Sequence, residues 1–296
     1  MTKQLRSELL LLMITVFWGA SYILTKIGLN TLEPFNLTAL RFIIAFCVSS
    51  VVFYKHLLKT DLKTVKCALV LGAILFGVFV AMTFGLKYTT ASNAGFLISL
   101  SVVFIPIISA VFLKQKVEKK IIIGVCLAII GIALLTLNSA FKIGIGDLLC
   151  IICSLLFAVH IIVTGIYTRD ADSITLSVLQ LGFAGLFSIV FSMFTETVKL
   201  PSTGISWFAV LALSILCTAV GYIVQTTAQQ YTNASHTGLI LSLEPVFSAI
   251  FAFAYLGEIL SVKGYIGGAI LLAGVLFAEL DFKGTDKRNH SDVESV

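Results

Sequence analysis

Residues 88–104 read YTTASNAGFLISLSVVF, and residues 231–247 read YTNASHTGLILSLEPVF. They are identical at nine positions: Tyr88/Tyr231, Thr89/Thr232, Ala91/Ala234, Ser92/Ser235, Gly95/Gly238, Ser99/Ser242, Leu100/Leu243, Val103/Val246 and Phe104/Phe247. Two unrelated apolar segments of that length would share about two. The same offset pairs Gly124 with Gly267 and Gly131 with Gly274. A weaker match joins FWGASYILTK (17–26) to LFAVHIIVTG (156–165), setting Trp18 against Phe157 and Thr25 against Thr164. The chain is an internal duplication.

What is duplicated is a membrane unit. Of 296 residues, 58% are hydrophobic and only 12% charged, with a mean hydropathy of +1.06. Soluble domains carry about 25% charged residues, so a soluble fold is excluded. A helix needs about 20 apolar residues to cross the hydrocarbon. Ten such runs are predicted, near 9–29, 36–54, 67–86, 92–113, 121–138, 147–167, 174–194, 205–228, 234–256 and 262–280. They are continuously apolar rather than alternating, which argues for helices over a barrel. The expected fold class is therefore all-α: ten transmembrane helices in two five-helix repeats, 1–142 and 143–282, followed by a polar tail, 283–296. Because five is odd, the second repeat enters the membrane inverted. Inverted repeats place a substrate site near the bilayer midplane and alternate its access by rocking.

Basic residues set the orientation. With both termini in the cytoplasm, the inner segments hold Lys3, Arg6, Lys55, Lys59, Lys63, Lys66, Lys114, Lys116, Lys119, Lys120, Arg169, Lys283, Lys287 and Arg288, fourteen of the twenty Lys and Arg. That excess predicts a multi-pass protein of the cytoplasmic membrane with both ends inside. The net charge of +5 then reflects lysine loops facing anionic lipid, and no nucleic-acid partner is implied. The six cysteines fall in or beside apolar runs; Cys150 and Cys153 form a CxxC without a second pair, which reads as helix packing rather than metal or redox chemistry.

Several short motifs occur in order: FWG (17–19), Pro34 followed by Arg41-Phe42, the repeated ASxxG (91–95 and 234–238), SLEPVF (242–247), LGE (256–258) and GGAILLAGVL (267–276). Together they resemble the EamA family of the drug/metabolite transporter superfamily over nearly the whole chain. The resemblance implies ten helices, a central cavity and movement of amino acids, other small metabolites or toxic compounds, often outward. One departure is that the first repeat has Ser101-Val102 where the second has Glu244-Pro245.

Polar side chains inside hydrocarbon usually face the bundle interior. Trp18, Tyr22 and Lys26 follow one another at every fourth position, with Ser21 and Thr25 beside them, making a stripe suited to line a substrate cavity. His160 and Thr164 on the sixth run, and Thr218, Tyr222, Gln225, Thr226 and Gln229 on the eighth, form comparable polar series. The expected substrate-binding set is Trp18, Ser21, Tyr22, Thr25, His160, Thr164, Tyr222, Gln225 and Thr226. Glu244 lies midway along the ninth run, too deep to snorkel. Proton coupling, with His160 as a relay, and support of the helix break at Pro245 are both open for it. Lys26 and Arg41 are expected near outer helix ends, either attracting a carboxylate at the outer mouth as gate residues or snorkelling or pairing with Glu33, and Asn93 and His236 at helix ends as gate or capping residues. Asp147 and Glu258 read as interfacial. Gly264 and Gly268 form a GxxxG suited to close helix contact.

A secondary transporter is the leading reading: an exporter moving small metabolites such as amino acids or amphiphilic drugs by alternating access. The expected partners are a small-molecule substrate, the bilayer and protons, with the protein a monomer or homodimer. There is no GxxxxGK[ST] for ATP, so gradients must drive it. No cofactor or metal is expected, since HExxH and GxSxG are absent, which also leaves a membrane enzyme remote. A passive facilitator or pore of the same fold stands between.

Overall fold

The computed structural model describes residues 3–114, 119–136, 144–257 and 261–279. The expected junction at 142–143, Glu258 and the tail 283–296 lie outside the described residues. All regular structure among the described residues is helical, as lipid requires: without water, each backbone polar group needs a partner on its own helix. Among the described residues, eight helices are long and apolar enough to cross a membrane. They are α1 (Lys3–Leu29), α2 (Pro34–Val52), α3 (Leu62–Tyr88), α4 (Ala91–Phe112), α6 (Ile145–Tyr167), α7 (Ser173–Thr195), α8 (Gly204–Ala228) and α9 (Ala234–Tyr255). Two further apolar helices, α5 (Lys119–Thr136) and α10 (Val262–Glu279), pack mainly against each other. The chain is a multi-pass membrane protein.

Helix starts follow the capping residues. Asp61, Thr90, Asp172, Thr203 and Asn233 each accept a hydrogen bond from the backbone N–H three residues on. Pro34 opens α2, where its missing N–H costs nothing.

Two interruptions matter. Helix α4 breaks between Ile98 and Ser101, and α9 between Leu241 and Glu244, at matching positions of the repeat. Only α9 has a proline there, so proline alone does not make the break. Both share a serine that turns back on its own helix: Ser99 Oγ donates to Phe96 O (2.7 Å) and Ser242 Oγ to Leu239 O (2.6 Å). The third irregularity is a π-helical stretch, Leu213–Val220, in the middle of α8.

The helix packing repeats under a shift of five. Helix α1 packs on α8 as α6 packs on α3; α2 meets α8 as α7 meets α3; α1 meets α9 as α6 meets α4. The pairs α2–α7, α4–α9 and α5–α10 map onto themselves. At α5–α10 the repeated glycines interlock: Gly131 lies against Gly267 and Leu271, and Gly274 against Gly124, Leu127 and Ala128. That contact is within the chain. Gly268, by contrast, has open space before it, so its GxxxG holds no helix in this chain.

Candidate functional site: a buried charged cavity between the two halves

Call the side of the bundle where α1 begins the amino-terminal face. Midway between the faces lies a cavity of about 30 Å³, room for about two waters. It is lined by Trp18, Ser21, Tyr22, Arg41, Val78, Phe79, Met82, Ile98, Cys153, Phe157, Tyr222 and Glu244. The repeat mates Trp18 and Phe157 stand edge to face (5.8 Å), and Tyr222 leans on Trp18 (5.3 Å) and meets its own mate Phe79 at 6.0 Å. The pseudo-symmetric centre of the duplication is therefore an aromatic cluster.

The π stretch of α8 lies behind the lining and holds two of its side chains, Trp18 and Arg41. A π turn shifts carbonyls and side chains out of α register, and such turns concentrate at functional sites. Here Trp18 Nε1 donates to Cys217 O (2.7 Å), and the Cys217 thiol lies on Phe17 O (3.2 Å). Thr218 Oγ1 donates to Leu213 O five residues back (2.8 Å), which turns its lone pairs to the Arg41 Nε–H. Gly221 is required by the approach of Trp18: a Cβ there would stand 2.5 Å from the indole nitrogen.

Arg41 and Glu244 give the cavity its chemistry. Arg41 is 3% exposed, its guanidinium over the Phe79 ring (4.5 Å to the centroid). This corrects the expectation of a snorkelling outer residue. Arg41 lies seven residues into α2, about 10 Å from its start, and Glu33 pairs instead with Lys87 (3.1 Å). Glu244 is 8% exposed, in the first turn after the break of α9, and lines the cavity together with Tyr22. A helix N-terminus favours a carboxylate. The three ion pairs among the described residues are His56–Asp172, Lys63–Asp170 and Lys87–Glu33, so none joins Arg41 to Glu244. A buried cation and a buried acid thus share one cavity without closing on each other.

Of the other expected site residues, Trp18, Ser21, Tyr22 and Tyr222 line the cavity. Thr25 is buried with a hydroxyl that bonds to nothing, and Lys26 is half-buried outside the cavity. His160 does not bond to Glu244: its Nε2 meets Gln180 Oε1 (2.9 Å), and its ring stacks on Phe157 and meets Tyr222 edge-on. Gln225 and Thr226 lie in the same polar layer, bonded to Gln229 (3.1 Å) and Gln180 (3.2 Å), with Thr164 one turn beyond His160. Asn93 donates to Thr89 (3.0 Å) and to Asp147, tying α4 to α6. The backbone N–H of His236 is capped by Asn233 (2.9 Å). Cys150 and Cys153 are buried, and among the described residues no group of His, Cys, Asp and Glu could hold a metal.

Sequence reading missed Phe79, Met82 and Gln180, and misplaced Arg41. A signal existed. The register that pairs Trp18 with Phe157 also pairs Arg41 with Gln180, two long polar side chains at one position of the repeat.

The sequence profile of the EamA-like transporter family matches twice, over residues 5–137 and 144–280. The chain belongs to the EamA-like transporter family. It is 34% identical over 278 residues to an uncharacterized transporter of Archaeoglobus fulgidus, covering 94% of this chain and 87% of that one. A second from the same organism is 32% identical over 282 residues, covering 91% and 96%. The uncharacterized transporter YyaM of Bacillus subtilis is 27% identical over 288 residues, covering 93% and 94%. One crystal structure superposes with a TM-score of 0.77 at 19% identity, over 93% of this chain and 96% of its own, and so shares the fold. Two hollows flank the central cavity. One hollow, about 370 Å³, opens among Gln4, Arg169, Gln229 and Tyr231 at the amino-terminal face; the other, about 500 Å³, lies by Glu33, Phe35, Glu196 and Lys199 at the opposite one.

Proposed function

We propose that this chain is a secondary transporter of ten spans in two inverted halves. Both termini are cytoplasmic, and it exports small amphiphilic metabolites such as amino acids or cationic drugs by alternating access. The observation that carries the reading is the unpaired charge in the central cavity. Burying an ion without a counter-ion costs several kcal/mol, so a guanidinium and a carboxyl that face one cavity without pairing make a site suited to complementary charges. Arg41 offers a fork for a carboxylate, Glu244 a partner for an ammonium, and the aromatic cluster a surface for the apolar part. The shift-of-five packing supports the inverted halves. The Lys-rich amino-terminal face supports a cytoplasmic location for both ends. The small central cavity flanked by two hollows supports alternating access to a site between them.

The test is counterflow in proteoliposomes with a panel of amino acids, aromatic amines and cationic drugs, with and without a pH gradient. The reading expects saturable exchange of at least one solute, lost in Arg41→Met or Glu244→Gln. Flux that never saturates would make the protein a passive pore. Exchange that ignores pH and survives Glu244→Gln would remove proton coupling.

A further inference from the structure

Between the aromatic cluster and the hollow at the amino-terminal face, two short runs of hydrogen bonds lie side by side across three helices. Gln180 Nε2 on α7 donates to Thr226 Oγ1 on α8 (3.2 Å), which leaves Gln180 Oε1 to accept from the His160 Nε2–H on α6 (2.9 Å). Next to Thr226, Gln225 Nε2 donates to Gln229 Oε1 (3.1 Å), and Gln229 Nε2 donates to the Ile161 carbonyl (2.8 Å), beside His160. All five side chains are buried. The layer touches both spaces: Phe157 and Tyr222, which cover His160, line the cavity, and Gln229 lines the hollow.

Three buried polar atoms of this layer bond to nothing: His160 Nδ1, Gln225 Oε1 and Thr164 Oγ1. Buried polar atoms without partners are uncommon enough to require a cause. Some buried hydroxyls in the bundle satisfy themselves on the carbonyl four residues back, as Thr168, Ser177, Ser188 and Ser214 do. Thr164, like its repeat mate Thr25, does not. The unmet capacity is mainly one of acceptance: a ring nitrogen lone pair in the neutral imidazole and an amide oxygen, beside a Thr164 hydroxyl that can accept or donate. The complementary ligand carries several N–H donors, which is an ammonium group.

Register supplies a second, independent observation. The duplication pairs Ser21 with His160, Arg41 with Gln180, Met82 with Gln225 and Thr83 with Thr226. The layer is thus the counterpart, in the second half, of the charged end of the central cavity in the first. In a fold whose halves exchange roles as access alternates, such counterparts lie along one path. We propose that the His160–Gln180–Thr226–Gln225–Gln229 layer is a second station, which holds the substrate's ammonium group in transit between the central cavity and the hollow at the amino-terminal face. This rests on the transporter reading. Hydrogen bonds to neutral acceptors hold the group loosely enough to release it, whereas a second carboxylate would trap it.

Phenethylamine is the probe, with its N,N,N-trimethyl derivative as a cation of the same charge that has no N–H. Binding is read from Trp18 fluorescence in a Trp207→Phe background, and translocation from efflux of the labelled amine out of proteoliposomes. Thr164→Val and Gln225→Met are expected to keep the Kd within about twofold while slowing efflux about tenfold, the mark of an interaction made during transit and not in the resting complex. Thr164→Val removes a hydroxyl that bonds to nothing, so its thermal stability should hold or rise, and slowed efflux cannot then be a folding defect. Wild-type efflux in both variants overturns the proposal. So does equal efflux of the trimethyl compound, or a wild type that exchanges other solutes but not phenethylamine. If the wild type exchanges nothing on the panel saturably, the transporter reading itself fails and the station falls with it.

Discussion

The glycine crossing of α5 and α10 yields the sharpest stability prediction. A Cβ on Gly131 would stand 2.6 Å from Gly267 O and 2.8 Å from Leu271 N; on Gly274 it would stand 2.7 Å from Leu127 Cβ and 2.9 Å from Gly124 O. Two of these neighbours in each case belong to or sit on the facing backbone, which cannot rotate away. Alanine must therefore part the helices by about 0.5–1 Å, a gap that forfeits a quarter to a half of each dispersion contact across it. Overpacking of this kind costs about 1–3 kcal/mol, against a gain of about 0.5–1 kcal/mol from replacing glycine within a helix. Each of Gly131→Ala and Gly274→Ala should therefore lose about 1–2 kcal/mol, or roughly 2–8 °C in Tm at about 2–4 °C per kcal/mol. The two points of contact lie about two turns apart, far enough for the losses to add approximately. Gly268→Ala is the control: nothing stands within 4 Å of its Cβ, so the helix gain should appear undiminished. The assay is thermal unfolding of purified protein in one detergent, followed by tryptophan fluorescence. Unchanged Tm in both Gly131→Ala and Gly274→Ala, or an equal loss in Gly268→Ala, would refute the argument that backbone contact holds this pair.

Three further outcomes follow from the same geometry. Removing both buried charges by Arg41→Met with Glu244→Gln should raise stability by about 1–4 kcal/mol in a thermal melt while abolishing substrate exchange, because an ion pair that does not close is a cost borne for binding. Asp172 caps α7 through Thr175 N (2.9 Å) and Oγ1 (2.7 Å) and meets His56 Nδ1 (3.1 Å); Asp172→Ala should cost about 1 kcal/mol, measured at neutral pH. Burial pushes that carboxyl up, but the bonds from Thr175 and His56 outweigh it and hold it below the usual range. A depressed pKa contributes stability that is present above the unfolded value of about 3.9 and lost as pH falls through the folded one, so the wild-type advantage over Asp172→Ala should shrink below about pH 4. Trp18→Phe removes the donor to Cys217 O while keeping an aromatic ring, and should weaken binding of aromatic amines severalfold in a titration with only a small loss of stability, at most about 1–2 kcal/mol.

The membrane class, the duplication and the family motifs were legible in the sequence because each is written along the chain, as unbroken apolar length or as a pattern recurring at a fixed offset. The paired breaks of α4 and α9 also sit where the repeat is best kept, at Ser99 and Ser242. Trp18, Ser21, Tyr22 and Tyr222 could be chosen because polar and aromatic groups stand out against hydrocarbon. The partnerships could not. In a membrane helix both the lipid face and the buried face are apolar, so the contrast that orients a soluble helix is missing. Nothing local says how far α2 is turned, and that turn alone carries Arg41 into the cavity with Glu244 rather than out to the headgroups. The π stretch of α8, which receives Arg41 and Trp18, has no sequence signature, and Gln180 joins His160 to Thr226 only because three helices meet there. Composition and repetition determined what kind of molecule this is; the rotation of each helix against its neighbours decided which of its few polar atoms face one another.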